Sequence, residues 1–354
     1  MTDEELREEP LYPFRFQPIY KDYLWGGRRL EFLFDRLEIT GKTIAESWEI
    51  ADHENGESIV LNGPLRDTTL NRILRINPLG LLGEEMLRQG PPPARFPLTL
   101  KYLDALQNLS IQVHPDTAFC RKNGIAEPGK TEAWIVIDAD ANSRYYAGFK
   151  ESYTPEQVAT AAKNGTLPEM LNPIPARVGD CILIKPGIVH ALDEGVLVAD
   201  VMTAGDTTFR LFDWNRHSTS GNARPLHIDE AVQAIDFQAG PVRPQRPVPG
   251  IRLNCETLVL CDQFKIERWH SPSQFVWQGD DRCTIWTVIN GSAGIIFTAG
   301  RRVAPRAESG RDNDPDAIEP LNRGDSLLVP AMTSSIRWVS EGKEPLVLLS
   351  ISLT

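Results

Sequence analysis

The segment Leu98–Asp116, LTLKYLDALQNLSIQVHPD, limits the fold more than any other part of the chain. Its last residues, Ile111, Gln112, Val113 and His114, alternate apolar and polar, and a strand sends successive side chains to opposite faces. Gln112 and His114 therefore share one face, and Ile111 and Val113 share the other. Pro115 has no amide to give a ladder, so the strand stops there. An amide and an imidazole facing inward need partners, because buried polar groups are normally satisfied. Two other segments offer them. Gly129-Lys130-Thr131-Glu132 leads into an apolar strand, and Lys185-Pro186-Gly187-Ile188-Val189-His190 turns sharply before another apolar run. Brought together, Gln112, His114, Glu132 and His190 make one O,N,O,N metal site.

The rest of the chain is rich in short strands. Strand character marks residues 46–53, where the register of the carboxylates stays open, and residues 133–137, 178–184, 196–202 and 207–212. It returns beyond residue 250. Helical signals are fewer. A piece from Thr68 carries Leu70, Ile73 and Leu74 and is interrupted by Pro78. Thr154-Pro155-Glu156-Gln157 is a capping-box start, and Asn164-Gly165 is the matching stop. Many short strands and few helices predict a mainly β fold of barrel or jelly-roll type, which an internal repeat makes two jelly-roll barrels, with short helices inserted in the first at about 65–90 and 154–172.

Pro241, Pro244, Pro247 and Pro249 make residues 241–250 a linker. Domains are expected over 1–240 and 251–354. An internal repeat spans the linker: Glu132, Trp134 and Ile137 align with Thr284, Trp286 and Ile289. Gly179-Asp180 and Pro186 align with Gly324-Asp325 and Pro330. Thr284 and Ser334 then fall where Glu132 and His190 stood, so the second barrel is expected to hold no metal. A polar loop over 304–319 is expected to be unpacked.

A chain of 354 residues with net charge −11 suits a soluble protein of two domains and argues against non-specific nucleic-acid binding. It does not oppose a local basic pocket for an anionic substrate. No apolar run approaches a membrane span. The acidic start, MTDEELREEP, differs from a secretory signal. Five cysteines without CxxC spacing read as reduced thiols of a cytoplasmic protein.

Two imidazoles, a carboxylate and an amide oxygen suit zinc or another borderline divalent ion. One anionic ligand leaves the site net positive, so the ion remains a Lewis acid. Four protein ligands would close a tetrahedron, and catalysis then requires a higher coordination number or a weakly held glutamine. Gly124 to Thr131 matches a phosphate-loop pattern, but a strand follows it and Pro128 removes an amide, which rejects a nucleotide site. Arg210 lies on a strand and points inward or outward with Thr208. His53, His217, His227 and His270 have no comparable partners and read as ordinary residues.

LSIQVHPD (109–116), GKTEAW (129–134), PGIVHAL (186–192) and GDTTFRLFDWNR (205–216) resemble type I phosphomannose isomerase, particularly its short bacterial form. YLWGGRRL (23–30) and ESWEIADH (46–53) fit as well, so the resemblance covers roughly residues 11–216. It implies cupin-type jelly rolls and one zinc ion per chain. The activity implied is interconversion of mannose 6-phosphate and fructose 6-phosphate through an enediolate. By motif position, Gln112, His114, Glu132 and His190 would be the metal ligands and Arg210 the catalytic arginine. Ser110 and Lys101 resemble positions near the substrate phosphate, and Lys130 and Glu46 line the same pocket. One position departs. Ten residues before Arg210 the family usually has a glutamate proposed as the base, and this chain has the shorter Asp200. Lys130 and Glu46 stay open as acid–base candidates beside it. Other readings are a catalytically silent zinc-cupin that binds sugar phosphates, or a metal-cupin oxygenase, which would want redox iron and usually more histidines. The partner is a small sugar phosphate, with no nucleic acid and no membrane. Monomer and homodimer both stay open.

Overall fold

Leu98–Ala105 is a strand buried along its whole length, which accounts for an apolar run broken only by Thr99, Lys101 and Asp104. It pairs antiparallel with Val196–Thr203, from Leu98↔Thr203 to Ala105↔Val196. On its other side Val196–Thr203 pairs with Glu132–Ala139, and that strand pairs with Cys181–Ile184. Glu46–Ile50 and Ile19–Lys21 complete a six-stranded sheet. A five-stranded sheet runs in the order Phe209–Phe212, Ile111–Val113, His190–Leu192, Arg144–Phe149, Leu171–Pro175. Trp134, Val136, Ile182 and Val198 of the first sheet share one apolar core with Tyr145, Ala147, Ile174 and Leu192 of the second. Each large side chain buried there contributes about 1.5–3 kcal/mol.

The computed structural model describes residues 2–216, 223–271, 273–298 and 319–354. His217 and residues 304–318 of the expected polar loop lie outside them. The described part is mainly β, the class expected from the sequence. Helix Pro155–Asn164 has the expected ends: the Thr154 hydroxyl accepts from Gln157 N, and Gly165 sits in the left-handed region at φ 76°. Pro78 does more than interrupt. It stands at the first turn of a new helix, Pro78–Leu82, where its missing amide costs nothing. Among the described residues no helix is long and apolar enough to cross a membrane.

Contacts group the chain into two units whose segments alternate: Tyr20–Trp48 with Leu98–Arg246, and Met1–Ile19 with Glu49–Pro97 and Pro247–Thr354. The second of these contains another six-stranded sheet and a four-stranded sheet. Its core gathers Trp269, Trp277, Trp286 and Trp338, with Phe275 packed against them. The helices around residues 70–88 belong to this unit, not to the one built from 98–246. Backbone bonds make the connection: Ala331 N donates to Leu81 O at 3.0 Å, and Phe14 and Leu328 exchange bonds of 2.8 and 2.9 Å.

The repeated motifs occupy equivalent sheet positions. Trp134 pairs with Ile182 and Glu132 with Ile184, while Trp286 pairs with Leu327 and Thr284 with Val329. In both hairpins a left-handed glycine, Gly179 at φ 88° or Gly324 at φ 91°, donates its amide to a valine carbonyl, Val136 or Val288, at 2.8 Å.

Candidate active site

In an antiparallel sheet, residues directly opposite one another send their side chains to the same face. Gln112 stands opposite His190 on one neighbouring strand and Arg210 on the other, so these three form a row across one face. His190 also faces Ala147, whose small side chain leaves the row uncrowded. Glu132 comes from the six-stranded sheet, and His114 comes from the chain just after the Ile111–Val113 strand.

Each histidine anchors Nδ1 on a backbone carbonyl: His114 on Thr207 O at 3.0 Å and His190 on Ile188 O at 2.9 Å. A carbonyl only accepts, so Nδ1 carries the proton and Nε2 presents a lone pair. His114 Nε2 lies 3.5 Å from Glu132 Oε2, and His190 Nε2 lies 3.2 Å from Oε1. The donor atoms of the three residues all fall within 4.8 Å of one another. His114 Nε2 and Glu132 Oε1 are buried without a hydrogen-bond partner. Lone pairs converging on a carboxylate with no proton between them repel, and a divalent cation relieves that repulsion. The donor set fits a metal.

Gln112 fits as well. Its Oε1 accepts from Ser110 Oγ at 3.1 Å and its Nε2 lies 3.2 Å from His190 Nε2. A hydroxyl both donates and accepts, so rotating the amide turns the oxygen toward the histidines and keeps the Ser110 bond. Burial, then the Lys130 charge, pushes His114 down to about 4, leaving a neutral imidazole able to ligate. Burial alone would raise Glu132, but Lys130 and the imidazoles hold it well below the usual carboxylate range. Lys130 Nζ is 2.7 Å from Glu132 Oε2.

These donors border a cavity of about 340 Å³ lined by Glu46, Lys101, Ser110, Gln112, Lys130, Glu132, Asp200 and Arg210. His114 and His190 are fully buried and meet its wall at Glu132. All ten residues singled out in the sequence are thus brought together. Strand register places Asp200 opposite Lys101 on one side and Trp134 on the other. Asp200 is buried, and its Oδ1 has no hydrogen-bond partner. Burial and the Glu132 charge push its carboxyl up to about 8, against the pull of Lys130 and Lys101. Burial disfavours charge on Lys101, yet Glu46 and Asp200 outweigh it and raise the ammonium above its ordinary value. Glu46 Oε2 accepts from Trp48 Nε1 at 2.7 Å and from Lys101 Nζ at 3.3 Å. Arg210 points inward with Thr208, and burial followed by the Arg224 charge lowers its guanidinium.

Tyr23, Trp48, Asp206 and Arg224 also line the cavity and were not singled out in the sequence. Trp48 was legible two residues from Glu46, on the same strand face. Arg224 was not, because it comes from a polar stretch without periodicity. It is held by Asp213, with Nε 2.8 Å from Oδ2. Lys101, Lys130, Arg210 and Arg224 share this cavity with four carboxyl groups, Glu46, Glu132, Asp200 and Asp206.

Residues 13–150 match the family model for phosphomannose isomerase type I, catalytic domain. The chain is 34% identical over 340 residues to mannose-6-phosphate isomerase of Streptococcus mutans, covering 94% of this chain and 96% of that one. It is 30% identical over 324 residues to mannose-6-phosphate isomerase ManA of Bacillus subtilis, covering 91% and 93%. The crystal structure of the mannose 6-phosphate isomerase from Bacillus subtilis superposes with a TM-score of 0.81 at 26% identity, covering 96% of this chain and 99% of that one. Similarity that runs nearly end to end in sequence and in structure goes beyond a shared fold, and this chain belongs to the type I phosphomannose isomerase family.

Proposed function

We propose that this chain is a metal-dependent aldose–ketose isomerase that interconverts mannose 6-phosphate and fructose 6-phosphate in the cytoplasm. One observation carries the reading: Asp200, a buried carboxyl with an unpartnered oxygen, lines the same cavity as the donors around Glu132. Gln112, His114, Glu132 and His190 would hold one zinc ion, which when bound supplies Lewis acidity toward the sugar's C1 and C2 oxygens. All five cysteines are free thiols, consistent with a reducing compartment.

Asp200 takes the proton from C2 of the open-chain aldose. The C2–H electron pair forms the C1–C2 double bond, and the C1 carbonyl opens to an oxyanion, giving an enediolate. Return of the proton to C1, with loss of the O2 proton and gain of one on O1, leaves the ketose with no net oxidation. Burial raises this carboxyl above its ordinary value, the direction that suits a group taking and returning a proton near neutral pH. Arg210 supplies a fixed charge for the developing oxyanion. Lys101 and Ser110 take the phosphate, with Glu46 orienting Lys101. Lys130 holds Glu132 ionised.

The test is turnover of mannose 6-phosphate by purified protein in a coupled assay, lost on chelation and restored by zinc. Zinc-replete protein that binds the sugar phosphate without converting it would instead be a silent binding protein, and the proposal would fail.

A further inference from the structure

Among the described residues Phe209–Phe212, the strand carrying Arg210, is the edge of its sheet, with Ile111–Val113 on one side and no strand on the other. An edge strand leaves half of its backbone groups unpaired. Those of Arg210 are not. Its N–H donates to Nδ1 of His227 at 3.2 Å, and its C=O accepts from the N–H of His227 at 2.8 Å. A single residue thus closes both groups, as a neighbouring strand would. A backbone N–H only donates, so Nδ1 is the acceptor and the proton of the neutral ring sits on Nε2.

His227 is itself fixed. It precedes helix Ile228–Ala234 and accepts the bond from Ala231 N at 2.8 Å. At this helix-capping position its side chain makes no capping bond, being committed to Arg210 instead. Its ring lies 6.2 Å from that of Phe209. At the other end of Arg210, Nε is buried without a hydrogen-bond partner, so the guanidinium is not pinned there.

We infer that His227 is a positioning residue for Arg210: it locks the edge-strand backbone from which the guanidinium reaches into the cavity. The inference rests on the role proposed above for Arg210. Misplacing a charge-stabilising group by ~1 Å costs up to roughly 100-fold in rate, and a slackened edge strand costs less, on the order of ten-fold.

Three substitutions separate positioning from packing. Asn places Oδ1 close to where His carries Nδ1, Phe keeps a ring against Phe209 without an acceptor, and Ala keeps neither. His227→Phe and His227→Ala are expected to lower kcat about ten-fold with KM within about two-fold, and His227→Asn to stay within about two-fold of the parent. Zinc content stays unchanged in all three. Combined with Arg210→Ala, none should add a further loss, because both changes act through one group. If His227→Ala fails to fold, the Phe and Asn pair decides. A His227→Phe enzyme at parental kcat, or a His227→Asn enzyme as slow as His227→Phe, overturns the inference while Arg210→Ala remains inactive. Parental activity in Arg210→Ala overturns the role of Arg210 and the inference with it.

Discussion

Lys130 Nζ lies 2.7 Å from Glu132 Oε2, and the two side chains are only 5% and 2% exposed. A buried carboxylate left without its partner is costly, and breaking such a pair typically costs about 3–5 kcal/mol. Lys130→Met should therefore destabilise metal-free protein by about 3 kcal/mol and zinc-loaded protein by less, since the cation replaces the lost charge. Thermal unfolding with chelator and with zinc reads both numbers. Equal losses would detach Lys130 from the charge balance of the donor set.

His190 is fully buried and stands opposite Gln112 on one strand and Ala147 on the other. His190→Ala should fold, lose its zinc and lose activity together. Metal analysis on purified protein should give about one zinc per chain in the parent. An unchanged content in the variant removes His190 from the site.

The sheet position of Glu132 is held by Thr284 in the repeat, and tryptophans fill the core beside it. No metal is expected among residues 251–354. Replacing His114 and His190 together should therefore abolish tightly bound zinc. A second, resistant equivalent would point to the C-terminal strands.

Asp200→Asn should lower kcat by about two to four orders of magnitude, keep zinc, and stop exchange of the substrate C2 hydrogen with solvent. A loss of only a few-fold would mean the base lies elsewhere, with Lys130 and Glu46 next.

The same residue gives a pH signature in metal-free protein. Its folded pKa of about 8 lies above the ordinary aspartate value of ~3.9. Between those values the folded carboxyl keeps a proton that the unfolded chain has released, so stability falls as pH rises. Asp200→Asn does not titrate. It should match the parent near pH ~4 and become the more stable of the two as pH climbs through about 8. Denaturant midpoints across that range check it, and a gap that stays flat would contradict the burial of the charge.

Much of the site was legible because it is written in local patterns. Gln112 and His114 announce themselves by alternation before Pro115, and His190 by its proline-glycine turn. The helix at 155–164 is specified by three capping residues. What stayed hidden is held by the backbone. The carbonyls of Thr207 and Ile188 fix both histidine tautomers, and any residue type supplies a carbonyl. His227 looked ordinary for the same reason, since it binds the main chain of Arg210 rather than a side chain. The grouping of residues 49–97 with 247–354 likewise rests on main-chain bonds such as Ala331 to Leu81, which leave no composition signal.

That alternation of segments sets an order of assembly during synthesis. Every residue of Tyr20–Trp48 and Leu98–Arg246 has been translated before Pro247. The cavity residues, from Tyr23 to Arg224, can thus gather while the last strands are still being made. Leu11, Phe14, Leu70 and Ile73, all fully buried in the finished protein, belong to the other unit and must wait. At ~5–20 residues per second, the remainder of the chain after Pro97 takes roughly 13–50 seconds to emerge. Through that interval these apolar segments lack the C-terminal strands that bury them in the finished protein. A stop codon near residue 247 would make the condition permanent: it spares every residue of the cavity and strands the two N-terminal segments for good.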